Sequence, residues 1–200
     1  MNYATMPIIF ENAFSKKLCK KILKAKSTLL DQARIGKENI VDKDVRKSST
    51  RFLSANWIYK ELAPFLKQAN ELGKWNLKVD WFEPAQIAQY KKGEFYNWHV
   101  DENEEIYSMD HPNKYFRGKI RKVSCSLQLS SPSEYEGGLL EFAIPECREG
   151  RVGFKRVKPL QAQEMGTLIF FPSFLPHQAH PVTKGTRYAL VAWSLGPPYA

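Results

Sequence analysis

Cysteine is scarce in this 200-residue chain: Cys19, Cys125 and Cys147 are the whole set, an odd number with no Cys-x-x-Cys pair among them. That excludes a disulfide framework and a zinc knuckle and fits a reducing compartment, so the expected location is the cytoplasm. Long apolar runs are missing too. No stretch reaches the ~20 residues of a membrane-spanning helix. Met1 to Phe10 has no basic segment leading into an apolar one, so no signal peptide is expected. There is no internal repeat or low-complexity tract. Negative charge is in short supply: 30 Lys and Arg stand against 21 Asp and Glu, a formal net charge of +9. Such an excess admits a nucleic acid or another acidic partner. The densest run, Lys16, Lys17, Lys20, Lys21, Lys24 and Lys26, has helical spacing, however, and reads as a solvated helix face.

What is present is enough for a real core, with 43% hydrophobic residues. The length suits one domain over 1–200, with 1–74 a mostly helical support and 75–200 a β core. Pro7 to Phe10 reads as a first strand. Ser15 is a candidate N-cap, and Leu18, Ile22, Ala25, Leu29, Leu30 and Ala33 predict an amphipathic helix over 16–33. Residues 34–50 are polar and read as a loop. Ala55, Ile58, Leu62, Phe65, Leu66, Ala69 and Leu72 predict a second helix, kinked or split at Pro64 and closed by Gly73 as the C′ residue. From Trp75 the pattern turns to short strands: 77–82, 85–90, 97–101, 122–129, 139–142, 167–171 and 186–194, with turns at Lys92-Gly93 and Glu136-Gly137-Gly138. Residues 102–120 form a long loop of mixed charge, a candidate lid, and 145–158 read as irregular. Short strands following helices predict a mainly β sandwich or jelly roll with helical support.

Histidine is rare, with four in the chain, and the arrangement around one of them organises the functional reading. In Trp98-His99-Val100-Asp101, an extended backbone puts His99 and Asp101 on one face. An imidazole and a carboxylate so placed are two of the three ligands of the facial triad of non-haem Fe(II) oxygenases. The third must be a distant histidine, and His177 and His180 are both candidates. Ten residues after His177 comes Arg187, on a strand whose residues Arg187, Ala189, Val191 and Trp193 share one face. A charge on an apolar face needs a partner, and a guanidinium fork suits a carboxylate.

His99-x-Asp101, His177 and Arg187 together resemble the prolyl-4-hydroxylase-like branch of the 2-oxoglutarate and Fe(II)-dependent oxygenases. Glu136-Gly137-Gly138-Leu139-Leu140, Phe171-Pro172, Leu175-Pro176-His177 and Gly185-Thr186-Arg187-Tyr188 extend the resemblance over residues 75–197. It implies a double-stranded β-helix, a cupin-like jelly roll, with the metal and cosubstrate inside. It implies His99, Asp101 and His177 as iron ligands, no catalytic residue beyond them, and Arg187 on the distal carboxylate of 2-oxoglutarate. His177 is favoured over His180 because the family's ligand stands four residues before Pro181-Val182. Tyr90 would hydrogen-bond the cosubstrate. Many relatives have a tyrosine near Gln128, and the Gln128 amide can donate the same bond. His180 is then a supporting or surface group, His111 a solvated one, and Tyr96, Trp98 and Trp193 candidate pocket walls. The implied cofactors are Fe(II) and 2-oxoglutarate, with ascorbate as an accessory reductant. The implied partners are dioxygen and a peptide or protein whose prolyl residue is hydroxylated. Two other readings are the same chemistry on a nucleic acid or free small molecule, and a non-catalytic jelly-roll binding module. A second Arg soon after the first, usual in nucleic-acid demethylases, is absent from 188–200.

Overall fold

The computed structural model describes residues 6–25, 30–33, 41–103, 105–148 and 151–199. In chain order the elements are β1 (Ile8–Phe10), α1 (Lys16–Ala25), β2 (Asp31–Gln32), β3 (Arg46–Lys47), β4 (Ser49–Leu53), α2 (Asn56–Leu72), β5 (Trp81–Phe82), β6 (Ala85–Lys91), β7 (Phe95–His99) and β8 (Ile120–Gln128). There follow β9 (Tyr135–Gly137), β10 (Leu140–Arg148), β11 (Arg151–Val157), β12 (Leu168–Pro172), β13 (His177–Ala179) and β14 (Val182–Gly196). They build two antiparallel sheets. The major sheet runs β1-β12-β8-β14-β6-β4-β2, with β5 and β9 also paired to β14; the minor sheet runs β11-β10-β13-β7-β3. This is the expected mainly β jelly roll.

The strands of the major sheet are apolar on one face and mixed on the other, and that division positions the site. Ile87, Val123, Cys125, Leu127, Leu190 and Ala192 point outward, to a core completed by α1 and α2. Their alternate neighbours, among them Gln86, Tyr90, Ser126, Arg187 and Ala189, face the minor sheet. Leu140, Phe142 and Ile144 of β10 meet Ile169 and Phe171 of β12, closing the space between the sheets at one side.

The Ser15 hydroxyl accepts from the Leu18 amide at 3.2 Å, as an N-cap should. α1 ends at Ala25, and 30–33 are not helical: Asp31–Gln32 pairs with β4 instead. The stretch 26–29 of the expected helix lies outside the described residues. α2 is one helix through Pro64, not two. Its buried residues Ile58, Leu62, Leu66 and Ala69 explain why. Burying an aliphatic side chain gains about 1.5–3 kcal/mol, so the stripe outweighs the ~3 kcal/mol that an interior proline costs. Gly73 does not take the left-handed C′ conformation; its φ is −74° and Lys74 has φ 52°. Glycine is required there because a Cβ would lie 2.4 Å from the Trp75 indole.

Three further stretches differ from the sequence expectation. Within 34–50, of which 34–40 lie outside the described residues, β3 and the start of β4 stand where a loop is expected. Residues 145–158 are not irregular but form most of the β10–β11 hairpin. Glu136-Gly137-Gly138 does not turn a hairpin into β10: β9 pairs with β14, and β10 with β11 and β13. Among the described residues no helix is long and apolar enough to cross a membrane.

Candidate active site

Two strands of the minor sheet bring the histidines together. His99 and His177 are direct partners across the β7–β13 pair, and their ring centroids are 4.1 Å apart. A bulge sets two residues of β7, Asn97 and Trp98, against one of β13, Gln178, so Tyr96 and His99 both face inward and stack, centroids 3.5 Å apart. β7 ends at His99, two residues short of the expected strand. Asp101 is turned inward by its backbone instead: the amides of Asp101 and Glu102 both donate to the Ser173 carbonyl, at 2.9 and 3.0 Å.

The donor atoms of His99, Asp101 and His177 lie within 4.8 Å of one another. His99 Nε2 is 3.7 Å from Asp101 Oδ1, and His177 Nε2 is 3.6 Å from Asp101 Oδ2. These distances are too long for hydrogen bonds. His99 Nδ1 lies 2.7 Å from the Asn97 carbonyl, and His177 Nδ1 lies 3.0 Å from the Leu175 carbonyl. A carbonyl only accepts, so Nδ1 carries the hydrogen in each ring and Nε2 presents a lone pair to the shared space. Burial and the neighbouring imidazole push His99 down to about 3, which keeps the ring neutral. Burial alone would raise the Asp101 carboxyl; His177, His99, Arg121 and the Ser124 hydroxyl outweigh it and hold Asp101 below its ordinary value. Asp101 Oδ2 is nevertheless buried with no hydrogen-bond partner. Two aimed lone pairs and an orphaned carboxylate oxygen are what a cation would satisfy.

Arg187 lies in the same cavity, which is lined by Arg46, Gln86, Tyr90, Tyr96, Trp193 and their neighbours from both sheets. Arg187 is 4% exposed, stands over the Tyr90 ring at 5.6 Å, and has no carboxylate within ion-pair distance among the described residues. Gly138 allows its approach: a Cβ there would lie 2.9 Å from Arg187 Cδ. A buried guanidinium without a counter-charge calls for an anionic ligand.

A family model described as the 2OG-Fe(II) oxygenase superfamily matches residues 85–195. The chain belongs to this superfamily. Its cofactors, Fe(II) and 2-oxoglutarate, fit the donor set and the unpaired guanidinium. The chain is 31% identical to a PKHD-type hydroxylase of Idiomarina loihiensis, over 55% of this chain and 43% of the relative. To one of Aliarcobacter butzleri it is 41% identical, over 52% and 40%. The matched part thus spans about two fifths of these curated relatives. Among solved structures it is similar to a Pseudomonas putida prolyl-4-hydroxylase (TM-score 0.62, 20% identity, 95% of this chain and 92% of that one). It is also similar to a Trichoplax adhaerens prolyl hydroxylase in complex with a hypoxia inducible factor peptide fragment (TM-score 0.60, 19% identity, 94% and 82%). At these identities the likeness shows the fold, a double-stranded β-helix.

The oxygenase site does not gather every residue singled out in the sequence. Tyr90, Tyr96 and Trp193 line the cavity; Trp98 does not, and faces Arg156 at 5.3 Å. His180 stays outside the triad and binds Glu141 Oε2 at 2.7 Å. His111 is not solvated: it is half-buried and stacks on Phe116, 4.9 Å between centroids. Gln128 is buried, its amide nitrogen 3.0 Å from the Tyr135 hydroxyl and 3.3 Å from the Ser130 carbonyl.

Sequence reasoning missed two cations. Arg46 reaches the cavity from β3; its guanidinium covers the Tyr96 ring at 4.5 Å and donates to Gln86 Oε1 and Ser48 Oγ, both at 2.9 Å. Arg121 forks onto Glu83 with two 2.7 Å bonds, covers Trp193 at 4.1 Å and donates to the Asp101 carbonyl at 3.3 Å. The Tyr107 hydroxyl donates to the same Glu83 at 3.0 Å. Tyr107 belongs to the long loop, which carries its own aromatic cluster with His111 and Phe116 and stacks Tyr115 on Trp81. The lysines of α1 lie with that helix on the outer face of the major sheet, opposite the cavity. A larger groove, between α2 and residues 77–82, gathers no comparable chemistry.

Proposed function

We propose that this chain is an Fe(II)- and 2-oxoglutarate-dependent oxygenase that hydroxylates an unactivated carbon, a prolyl residue of a peptide or protein. The reading rests on the orphaned Asp101 Oδ2, set between two imidazole lone pairs in the cavity that also holds the unpaired Arg187. His99, Asp101 and His177 would hold the metal. Bound Fe(II) and 2-oxoglutarate would supply the oxidising power, the keto acid and dioxygen yielding succinate, carbon dioxide and one oxygen atom for the substrate carbon. The protein's own work is to orient and to exclude water. The carbonyls of Asn97 and Leu175 fix which nitrogen of each ring faces the shared space, and the neutral His99 ring is ready to coordinate without losing a proton. Arg187 would grip the distal carboxylate with its fork, with Tyr90 beneath it. Leu140, Phe171 and Val191 wall the cavity with apolar surface, which strengthens those charge contacts.

A peptide substrate is supported by the likeness in fold to prolyl hydroxylases, one of them holding a peptide fragment. The excess of positive charge does not argue for nucleic acid, because its densest run, on α1, lies on the face away from the cavity. A single domain working in the cytoplasm, with Cys19 and Cys125 as free thiols, completes the reading. The test is to incubate the chain with Fe(II), 2-oxoglutarate, oxygen and proline-containing peptides. Oxygen-dependent succinate and a mass gain of one oxygen on proline are expected. Succinate with oxygen incorporated elsewhere would move the substrate to another class. No succinate with any candidate would leave a binding module.

A further inference from the structure

Behind Arg187 lies a hydrogen-bonded chain with no free donor to offer a ligand. The Gln128 amide has two hydrogens, and both are taken: one by the Tyr135 hydroxyl at 3.0 Å, the other by the Ser130 carbonyl at 3.3 Å. That carbonyl can only accept, which fixes which end of the amide faces it. What remains of Gln128 is Oε1, buried and unpartnered. An amide oxygen accepts and would repel a carboxylate. The Tyr135 hydroxyl in turn donates to the Gln163 carbonyl at 3.3 Å. Its lone pairs are left for the Gln128 amide and for the Arg187 guanidinium, both of which work against the rise that burial gives its pKa.

The backbone sets this chain beside Arg187. Tyr135 pairs with Gly185 across the β9–β14 ladder, two residues before Arg187. A Cβ on Gly138 would lie 2.9 Å from Arg187 Cδ and from Val182 and 3.7 Å from the Tyr135 ring, so all three border the space that this glycine leaves open. Ser130 Oγ accepts from the Tyr188 amide at 2.8 Å, tying the next residue of β14 to the same corner. Gln128 and Tyr135 are 2% and 5% exposed, and neither lines the cavity.

We infer that Tyr135, itself held by Gln128, is a positioning residue that fixes the Arg187 guanidinium for a dicarboxylate keto acid, and that Gln128 acts on that ligand only through Tyr135. The inference deepens the oxygenase reading and rests on it. The physical reason is the length of the arginine side chain. A fork serves a carboxylate at two points only if its plane is held, and holding it beforehand removes a cost otherwise met at binding. A ligand with no distal carboxylate does not use the fork and is indifferent to its aim.

The experiment uses the full chain loaded with Fe(II) without oxygen and compares two probes, 2-oxoglutarate and the monocarboxylate pyruvate, by calorimetry. Tyr135→Phe removes one hydroxyl and keeps the ring. It is expected to weaken 2-oxoglutarate binding about tenfold while leaving pyruvate and Fe(II) affinity unchanged. Gln128→Leu is expected to give a similar loss, and the double variant no more than the larger single loss, because both act through one chain. Losses that multiply in the double variant would overturn the inference by putting Gln128 on the ligand itself. Equal weakening of both probes would overturn it by showing a general structural role. Unchanged 2-oxoglutarate affinity in Tyr135→Phe would overturn the positioning role alone. A wild-type chain that binds neither probe would overturn the oxygenase reading and this inference with it.

Discussion

Replacing Glu83 with glutamine should destabilise the apo protein by about 3 kcal/mol, because an unpaired buried charge costs about 3–5 kcal/mol. The side chains of Glu83 and Arg121 are 5% and 23% exposed, and the two 2.7 Å bonds between them make a complete fork. Glutamine keeps the shape and one acceptor but removes the charge, which strands Arg121 between Trp193 and the Asp101 carbonyl. Arg121's residual contact with solvent favours the lower end of the range. Three kcal/mol is roughly a hundredfold in the folding equilibrium. Urea denaturation with a chelator present measures it, and an unchanged slope would show that the same surface unfolds. Because the pair is buried, high salt should not restore the loss. Glu83→Gln/Arg121→Met, which removes both charges, should recover part of the stability. The reasoning fails if Glu83→Gln costs less than about 0.5 kcal/mol, the range of an ordinary surface change, or if the double variant is less stable than the single.

Three other outcomes are expected. His177→Ala should abolish Fe(II) binding measured by anaerobic titration, whereas His180→Ala, which loses contacts to Glu141 and Gln178 outside the triad, should leave it largely intact; the reverse would mean the third ligand is misassigned. Arg187→Ala should weaken 2-oxoglutarate binding roughly ten- to a hundredfold, with Arg187→Lys recovering only part because an ammonium offers no planar fork; unchanged affinity would remove the cosubstrate assignment. Cys19 and Cys125 are buried and their thiols are pushed up to about 11 and about 12, so neither should react with a disulfide reagent at pH 8 until the protein unfolds, as peptide mapping would show.

How much of this was legible before the structure follows from what each residue has to do. His99, Asp101, His177 and Arg187 could be picked out because imidazole, carboxylate and guanidinium are unusual on apolar strands. The strands carrying the rest of the cavity were hidden for the same reason. In β3 and β4 the buried positions are Arg46, Ser48 and Thr50, with Lys47, Ser49 and Arg51 between them. The period of two is there, but polar residues occupy both phases, so hydropathy shows only a loop. Gly185 reads as a break before the last strand. In the structure β14 runs through it from Val182, with a register shift between Val182 and Lys184, and the glycine is there because a Cβ would lie 2.1 Å from the Glu134 carbonyl. The long loop reads as a candidate lid by length and charge. Its ties to Glu83 and Trp81 depend on partners more than twenty residues away, which no local pattern displays.

The Ser173 carbonyl, which takes the amides of both Asp101 and Glu102, joins a segment just after β7 to the turn that leads into β13. His99 and His177 sit on the two sides of that joint. A metal ion held there acts as a clasp between stretches far apart in the chain, and an ion that binds only the folded form adds about 2.7 kcal/mol when present at a hundred times its dissociation constant. Iron supply would then set the lifetime of the protein as well as its turnover. Under iron starvation the chain would open more often and be degraded sooner, so that loss of the cofactor would lower the amount of protein as well as its activity.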